Sequence, residues 1–195
     1  MSKFPSDDGV YVFDKQTLSW QRVQIDGPWV PRDDGLYAVY FRNRRCPGCK
    51  AFDKVWHRFV MERVPRLNVG AALVQCNSFF YDCNDKCASD TFLLFLVNAS
   101  PQVLVLIVEE GELVYVERHI GFADLDDLTS FVLDAPKRRE ELLKTQQEVK
   151  ESGVEELTVE GSDWKEIVEK LRKLILEGRN VREICDEEGC RYVIE

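Results

Sequence analysis

The sequence predicts an α/β fold, a central mixed sheet flanked by helices, on three observations. Two short apolar runs, LYAVYF (36–41) and VGAALVQC (69–76), are rich in aromatic and β-branched residues, as strands buried on both faces are. Between them Phe52, Val55, Trp56, Phe59 and Val60 recur at helical spacing, giving a strand–helix–strand unit with parallel neighbours. Further on, VLVLIV (103–108) and ELVYVERH (112–119) flank EEG, the pattern of an antiparallel hairpin with a short glycine-containing turn. A sheet of this kind needs helices on both faces.

The remaining elements follow in order. VYVFDKQTLSWQRVQI (10–25) reads as two short strands around a polar turn, and DGPWVPRDDG as a breaker-rich connector. The first helix is expected to stop before Pro65. A polar, cysteine-bearing loop and a helix through SDTFLLFLV lead to NASPQ. Asp124 can N-cap a helix that turns Leu125, Leu128, Phe131 and Val132 inward. After Pro136 the run KRREELLKTQQEVKES is charged nearly all round, the composition of a solvated connecting helix. EELTVEG then reads as a strand. SDWKEIVEKLRKLILEG reads as a helix capped by Ser162, with Trp164, Ile167, Val168, Leu171, Leu174 and Ile175 on one face. NVREIC-DEEG-CRYVIE reads as a hairpin with a four-residue loop. The expected organisation is an N-terminal strand extension (1–27), a principal domain (28–135), a charged helical linker (136–152) and a small C-terminal β-α-β-β module (153–195) with Trp164 and its leucines as a core of its own.

The formal net charge of −9 over 195 residues argues against non-specific binding to nucleic acid or anionic membranes. The apolar runs are too short to span a bilayer, and MSKFPSDDGVYVF lacks a signal-peptide core, so a cytoplasmic location is expected. Seven cysteines are many for that compartment. Six fall into close pairs: Cys46 with Cys49, Cys83 with Cys87, and Cys185 with Cys190, leaving Cys76 as a buried strand thiol. In a reducing cytosol such pairs suggest catalysis or metal, whereas hyperthermophile cytosols tolerate structural disulfides, and dense Glu, Lys and Arg would suit a thermophile. Cys83/Cys87 and Cys185/Cys190 are accordingly candidate accessory disulfides, structural or redox-active.

CPGC at residues 46–49 stands between a buried strand and an amphipathic helix. The first turn of a helix carries unsatisfied N–H groups and partial positive charge, which favour a thiolate over a thiol. Cys46 is expected there with its sulfur exposed, and Cys49 one turn on. Arg42, Arg44, Arg45 and Lys50 are expected to lower the Cys46 pKa further. A lower pKa makes Cys46 a better leaving group and the pair more oxidising. Cys46 would attack and Cys49 would resolve the mixed disulfide. A zinc site sharing Cys46, Cys49, Cys83 and Cys87 is the metal alternative, disfavoured because the first two sit at a helix terminus rather than a knuckle. His57 and His119 are lone histidines with surface or edge roles expected.

LYAVYF followed by CPGC, a helix, and SPQ opening a hairpin resembles the thioredoxin superfamily over about residues 28–135. The resemblance implies a thioredoxin-like fold and thiol–disulfide exchange on protein or small dithiol substrates, with an external reductase or oxidant as electron partner. The sequence carries no metal, flavin or nucleotide signature, so no cofactor and no metal are expected. The resemblance also implies a cis Pro101 beside the active-site disulfide, leaving the backbone of Ser100 free to bind an incoming peptide as an added strand. The sequence departs from thioredoxins proper, which read Trp-Cys-Gly-Pro-Cys. Proline directly after the first cysteine is closer to glutaredoxin-like and oxidase-like members. Tyr40 stands where thioredoxins carry a buried acid, and a phenol is a poor base near neutral pH. The competing functional class is a non-catalytic adaptor on the same scaffold.

Overall fold

The computed structural model describes residues 4–151, 164–177 and 180–194. Strands β1 (Gly9–Asp14) and β2 (Ser19–Val23) pair antiparallel, and β3 (Gly35–Asn43) is followed by helix α1 (Pro47–Arg58). A π-helical turn (Phe59–Arg63) and a 3-10 turn (Val64–Arg66) extend α1 to the proline before strand β4 (Val69–Cys76) begins. Next come helix α2 (Lys86–Leu94), the two-residue strand β5 (Ala99–Ser100), strands β6 (Gln102–Glu109) and β7 (Glu112–Ile120), and helices α3 (Leu125–Leu133) and α4 (Ala135–Glu151). Helix α5 (Trp164–Leu176) and the strands β8 (Val181–Cys185) and β9 (Cys190–Ile194) complete the described residues.

Six strands form one mixed sheet in the order β2-β1-β4-β3-β6-β7. The β3–β4 pair is parallel and the others antiparallel, as the α1 crossover between β3 and β4 requires. Side chains on β3 alternate between two cores, because successive Cβ atoms point to opposite faces. Ala38 and Tyr40 join Phe52, Trp56 and Phe59 under α1, with Leu128 and Val132 of α3. Val39 and Phe41 join Phe92 and Leu93 of α2 on the opposite face. The predicted α/β architecture is therefore present, with the N-terminal strand pair built into the sheet through β1 and β4. Local signals act where expected. Asp124 accepts hydrogen bonds from the N–H groups of Asp126 and Asp127 to cap α3, and Glu110 and Gly111, both at positive φ, turn β6 into β7.

Two expectations are corrected. The first concerns the cysteine-bearing loop, where Cys83 bonds to Cys76 and not to Cys87. Ser78 and Asp82 exchange backbone hydrogen bonds of 3.0 and 3.2 Å, folding the loop back so that Cys83 returns to the end of β4. Asp85 caps α2 by accepting from the Ala88 N–H, and this turns Cys87 inward as a free, buried thiol. Cys83 is thus not available to the shared zinc site.

The second correction concerns the C-terminal module. The strand expected at EELTVEG and the cap expected at Ser162 lie outside the described residues. Helix α5 and the terminal hairpin are as predicted, including the Cys185–Cys190 bond across a four-residue loop. Among the described residues, their apolar side chains join the principal core rather than one of their own. Val168 is fully buried in the same apolar cluster as Phe41 and Phe92, with Leu171, Ile175 and Leu176 packed against it, while Trp164 stays exposed. So short a segment cannot bury enough apolar surface alone, and it docks on α2 instead.

Candidate functional site

Residues 44–46 link the end of β3 to α1. The Cys46 backbone stands just before the first turn, and its Sγ accepts a hydrogen bond from the Cys49 N–H at 3.3 Å. The sulfur acts as the helix N-cap, a position that orphan N–H groups and the helix dipole make favourable for an anion. Pro47 at the first helical position has no N–H to leave unsatisfied. Ser100 and Pro101 are joined by a cis peptide bond, as the resemblance implied. The Ser100 carbonyl lies 3.4 Å from Cys46 Sγ, which donates to it in the thiol form. Asn43, at the end of β3, donates from Nδ2 to Ser100 Oγ at 3.0 Å and accepts from the Phe79 N–H at 2.9 Å. It thereby fixes β3, the loop after β4 and β5 around one point.

The two thiols are driven apart in acidity. Cys46 is lowered to about 6, first by hydrogen bonding with the Cys49 side chain, and further by Ser100 and the N–H groups of Cys49 and Gly48, all against the cost of burial. Cys49 is pushed well above the usual thiol range, chiefly by burial and then by its hydrogen bond to Cys46 and the charge there. One sulfur is prepared to be an anion and the other to keep its proton.

The predicted cationic tuning is not what lowers Cys46. Arg44 pairs with the buried Asp8 at 2.8 Å and donates to the Ser6 carbonyl. The exposed Arg45 reaches Asp82 at 3.7 Å, and Lys50 is exposed on the outer side of α1. Arg42 forms a two-pronged pair with Asp53 at 2.8 and 2.7 Å and donates to Gln75 at 2.7 Å. Each guanidinium has found a carboxylate that is remote in sequence.

Tyr40 is fully buried beneath the pair. Its hydroxyl lies 3.3 Å from the Cys49 carbonyl oxygen and 3.2 Å from Asp53 Oδ1. Burial, then the neighbouring Cys49 and Asp53, hold the phenol protonated well beyond its ordinary range. Asp53 and Asn43 escaped the sequence reading. Asp53 had a signal, since it lies one turn beyond Cys49 on the same helix face. Asn43 had none beyond its place at a strand end.

The exposure expected of Cys46 is also corrected, for its side chain has no solvent-accessible surface. The terminal hairpin covers it. Strand β9 pairs antiparallel with β5, setting Ser100 opposite Cys190 and Ala99 opposite Arg191, and the Tyr192 N–H donates to the Asn98 carbonyl at 3.1 Å. The backbone expected to receive an incoming strand thus receives one from its own chain. Two glycines permit the approach: a Cβ on Gly48 would collide with the Glu188 carbonyl, and one on Gly189 with the Ser100 carbonyl. Clefts of about 210 and 450 Å³ flank the seam, and Ile120 and Phe122 stand exposed beside them.

His57 rests its ring 6.3 Å from Phe4, and His119 Nε2 lies 3.3 Å from the Phe122 carbonyl oxygen. Among the described residues no helix is long and apolar enough to cross a membrane. No protein-family model matches the chain, and no curated protein matches it.

Proposed function

We propose that the protein is a thiol–disulfide oxidoreductase of thioredoxin-like build, in which Cys46 is the nucleophile and Cys49 the resolving thiol. The observation that carries this reading is the Cys46 sulfur at the start of α1, lowered to about 6 and set beside the cis Ser100–Pro101 bond. The order of strands and helices from β3 to α3 supports the same reading.

The division of labour follows from the site. The Cys46 thiolate attacks a substrate disulfide, forming a mixed disulfide and releasing the substrate's other sulfur as a thiolate. Once Cys46 is covalently engaged it carries no negative charge, so two of the causes holding Cys49 protonated disappear. Cys49 then loses its proton and attacks Cys46 Sγ. This closes the Cys46–Cys49 disulfide and expels the second substrate sulfur. An external dithiol returns the pair to the reduced state. A low Cys46 pKa stabilises the reduced pair and biases it toward the oxidising end of such couples.

The complete burial of Cys46 favours a second reading, a non-catalytic adaptor with a sealed thiol. Exchange of the reduced protein with oxidised glutathione separates the two. Wild-type protein should form and resolve the Cys46 adduct, Cys49→Ser should accumulate it, and Cys46→Ser should do neither. Equal behaviour of wild type and Cys46→Ser would remove the catalytic assignment. A reduction potential below about −300 mV would mark an inert bridge instead.

A further inference from the structure

The terminal hairpin brings a second pair of sulfurs to the site. Cys185 and Cys190 are joined in a disulfide, whereas Cys46 and Cys49 are free thiols. Cys190 is opposite Ser100 in the β5–β9 ladder, and Ser100 is the residue whose carbonyl Cys46 Sγ meets. A dithiol and a disulfide thus flank one residue. The two sulfurs of the hairpin differ in surroundings: Cys190 is buried in the same cluster as Cys46 and Cys49, and Cys185 is exposed. The Gly48–Glu188 and Gly189–Ser100 approaches hold the loop between them directly against α1 and β5.

We propose that the Cys185–Cys190 disulfide is an intramolecular substrate of the Cys46–Cys49 pair, so that the hairpin relays electrons from a buried site to a sulfur at the surface. This rests on the oxidoreductase reading above and names its first electron acceptor.

The transfer balances within the chain. The Cys46 thiolate attacks Cys190 Sγ; a Cys46–Cys190 bond forms, the Cys185–Cys190 bond breaks, and Cys185 leaves as a thiolate facing solvent. Cys49 gives up its proton to solvent and attacks Cys46 Sγ, forming the Cys46–Cys49 disulfide and releasing Cys190 as a thiolate that solvent reprotonates. Two electrons have moved from the first pair to the second. Repeated turnover needs an external dithiol to reduce Cys46–Cys49 and a client disulfide to reoxidise the hairpin.

Physical chemistry favours this route. Holding the reacting groups on one chain replaces a bimolecular encounter by a unimolecular one. Cys46 has no exposed surface with which to reach a folded client, whereas Cys185 does. Attack at Cys190 rather than Cys185 places the leaving sulfur in water and keeps the attacked sulfur in the site.

The test uses the full chain. Cys49→Ser/Cys185→Ser, equilibrated in a glutathione redox buffer and mapped by non-reducing peptide mass spectrometry, should contain a Cys46–Cys190 disulfide. Its yield should not depend on protein concentration. Recovery of Cys46 and Cys190 only as separate thiols or glutathione adducts would overturn the relay. Cys185→Ser/Cys190→Ser provides the second measurement. With Cys46 still slow to alkylate, it should retain exchange with oxidised glutathione but lose about tenfold or more in insulin reduction, the intramolecular step being gone. Insulin reduction at or above the wild-type rate would leave the hairpin as a plug and overturn the relay while the oxidoreductase reading stands. Absence of glutathione exchange at Cys46 in the wild type would remove that reading, and the relay with it.

Discussion

Cys46 is made acidic by short-range hydrogen bonds rather than by a neighbouring cation, and this sets its pH behaviour. Thiolate absorbance in the reduced protein should titrate with a midpoint near 6, a step absent from Cys46→Ser. Cys87, pushed up to about 11 mainly by burial, does not interfere. Because the folded pKa of Cys46 lies below its ordinary value of 9.0, the stabilisation from its anion is complete above that value and lost as pH falls through 6. Denaturant melts of reduced wild type against Cys46→Ser should therefore converge as pH drops below 6, and exchange rates should fall over the same interval. Tyr40 has no part in proton transfer if its phenol stays protonated. Tyr40→Phe should keep glutathione exchange within about threefold while losing ~1 kcal/mol of stability with its hydrogen bond. At this scale Cys46 and Cys49 are legible because their signal is local, two thiols at a helix start, whereas Ser100 and Pro101 are reached only through the family resemblance. The partners of Arg44 and Arg45 are not legible, because Asp8 and Asp82 reach them only through the tertiary fold.

At the scale of elements, the glycine inside CPGC has a role beyond the helix it opens. Any side chain there meets the Glu188 backbone, which cannot rotate away as a flexible side chain would. Gly48→Ala should leave α1 intact and lift the loop between β8 and β9. Iodoacetamide should then label Cys46 about tenfold faster, the equivalent of ~1.4 kcal/mol of docking free energy. Unchanged labelling would mean that the hairpin does not control access. Most elements could be read from the sequence, since β3, β4 and β6 are short apolar runs, α1 and α3 carry helical periodicity, and α3 has a cap at Asp124. The hairpin itself was legible too, in alternating residues around DEEG. Its landing place was not: β5 is two residues long, too short for any period, and its pairing with β9 spans about ninety residues of chain. The Cys76–Cys83 bond was missed for a related reason. Sequence spacing ranked Cys87 nearer to Cys83, while the backbone pairing of Ser78 with Asp82 brought Cys76 nearer in space.

Across the whole molecule, the C-terminal segment behaves as part of the principal body. Asp90 on α2 is almost fully buried and receives Lys86 at 2.6 Å and Arg172 of α5 at 2.7 Å, and Arg172 also donates to Ser89 Oγ. That cluster, beside Val168, fastens α5 to α2. Asp90→Ala should cost about 2 kcal/mol or more by leaving two cations without their shared carboxylate. It should also quicken Cys46 labelling, because α5 leads into the hairpin. A lower melting temperature with unaltered labelling would mean that α5 and the hairpin dock independently. The composition change after Pro136 marks the charged helix α4. The apolar face of α5 indicates only that something will cover it and not what, and its partner on α2 is visible only in the fold.

The pairing of β9 with β5 has one more consequence. Among the described residues β9 is the strand that pairs with β5, so it satisfies backbone N–H and C=O groups that the rest of the sheet does not reach. Whatever lifts the hairpin to free Cys46 for chemistry must therefore also hand those groups over to water or to the backbone of an arriving client.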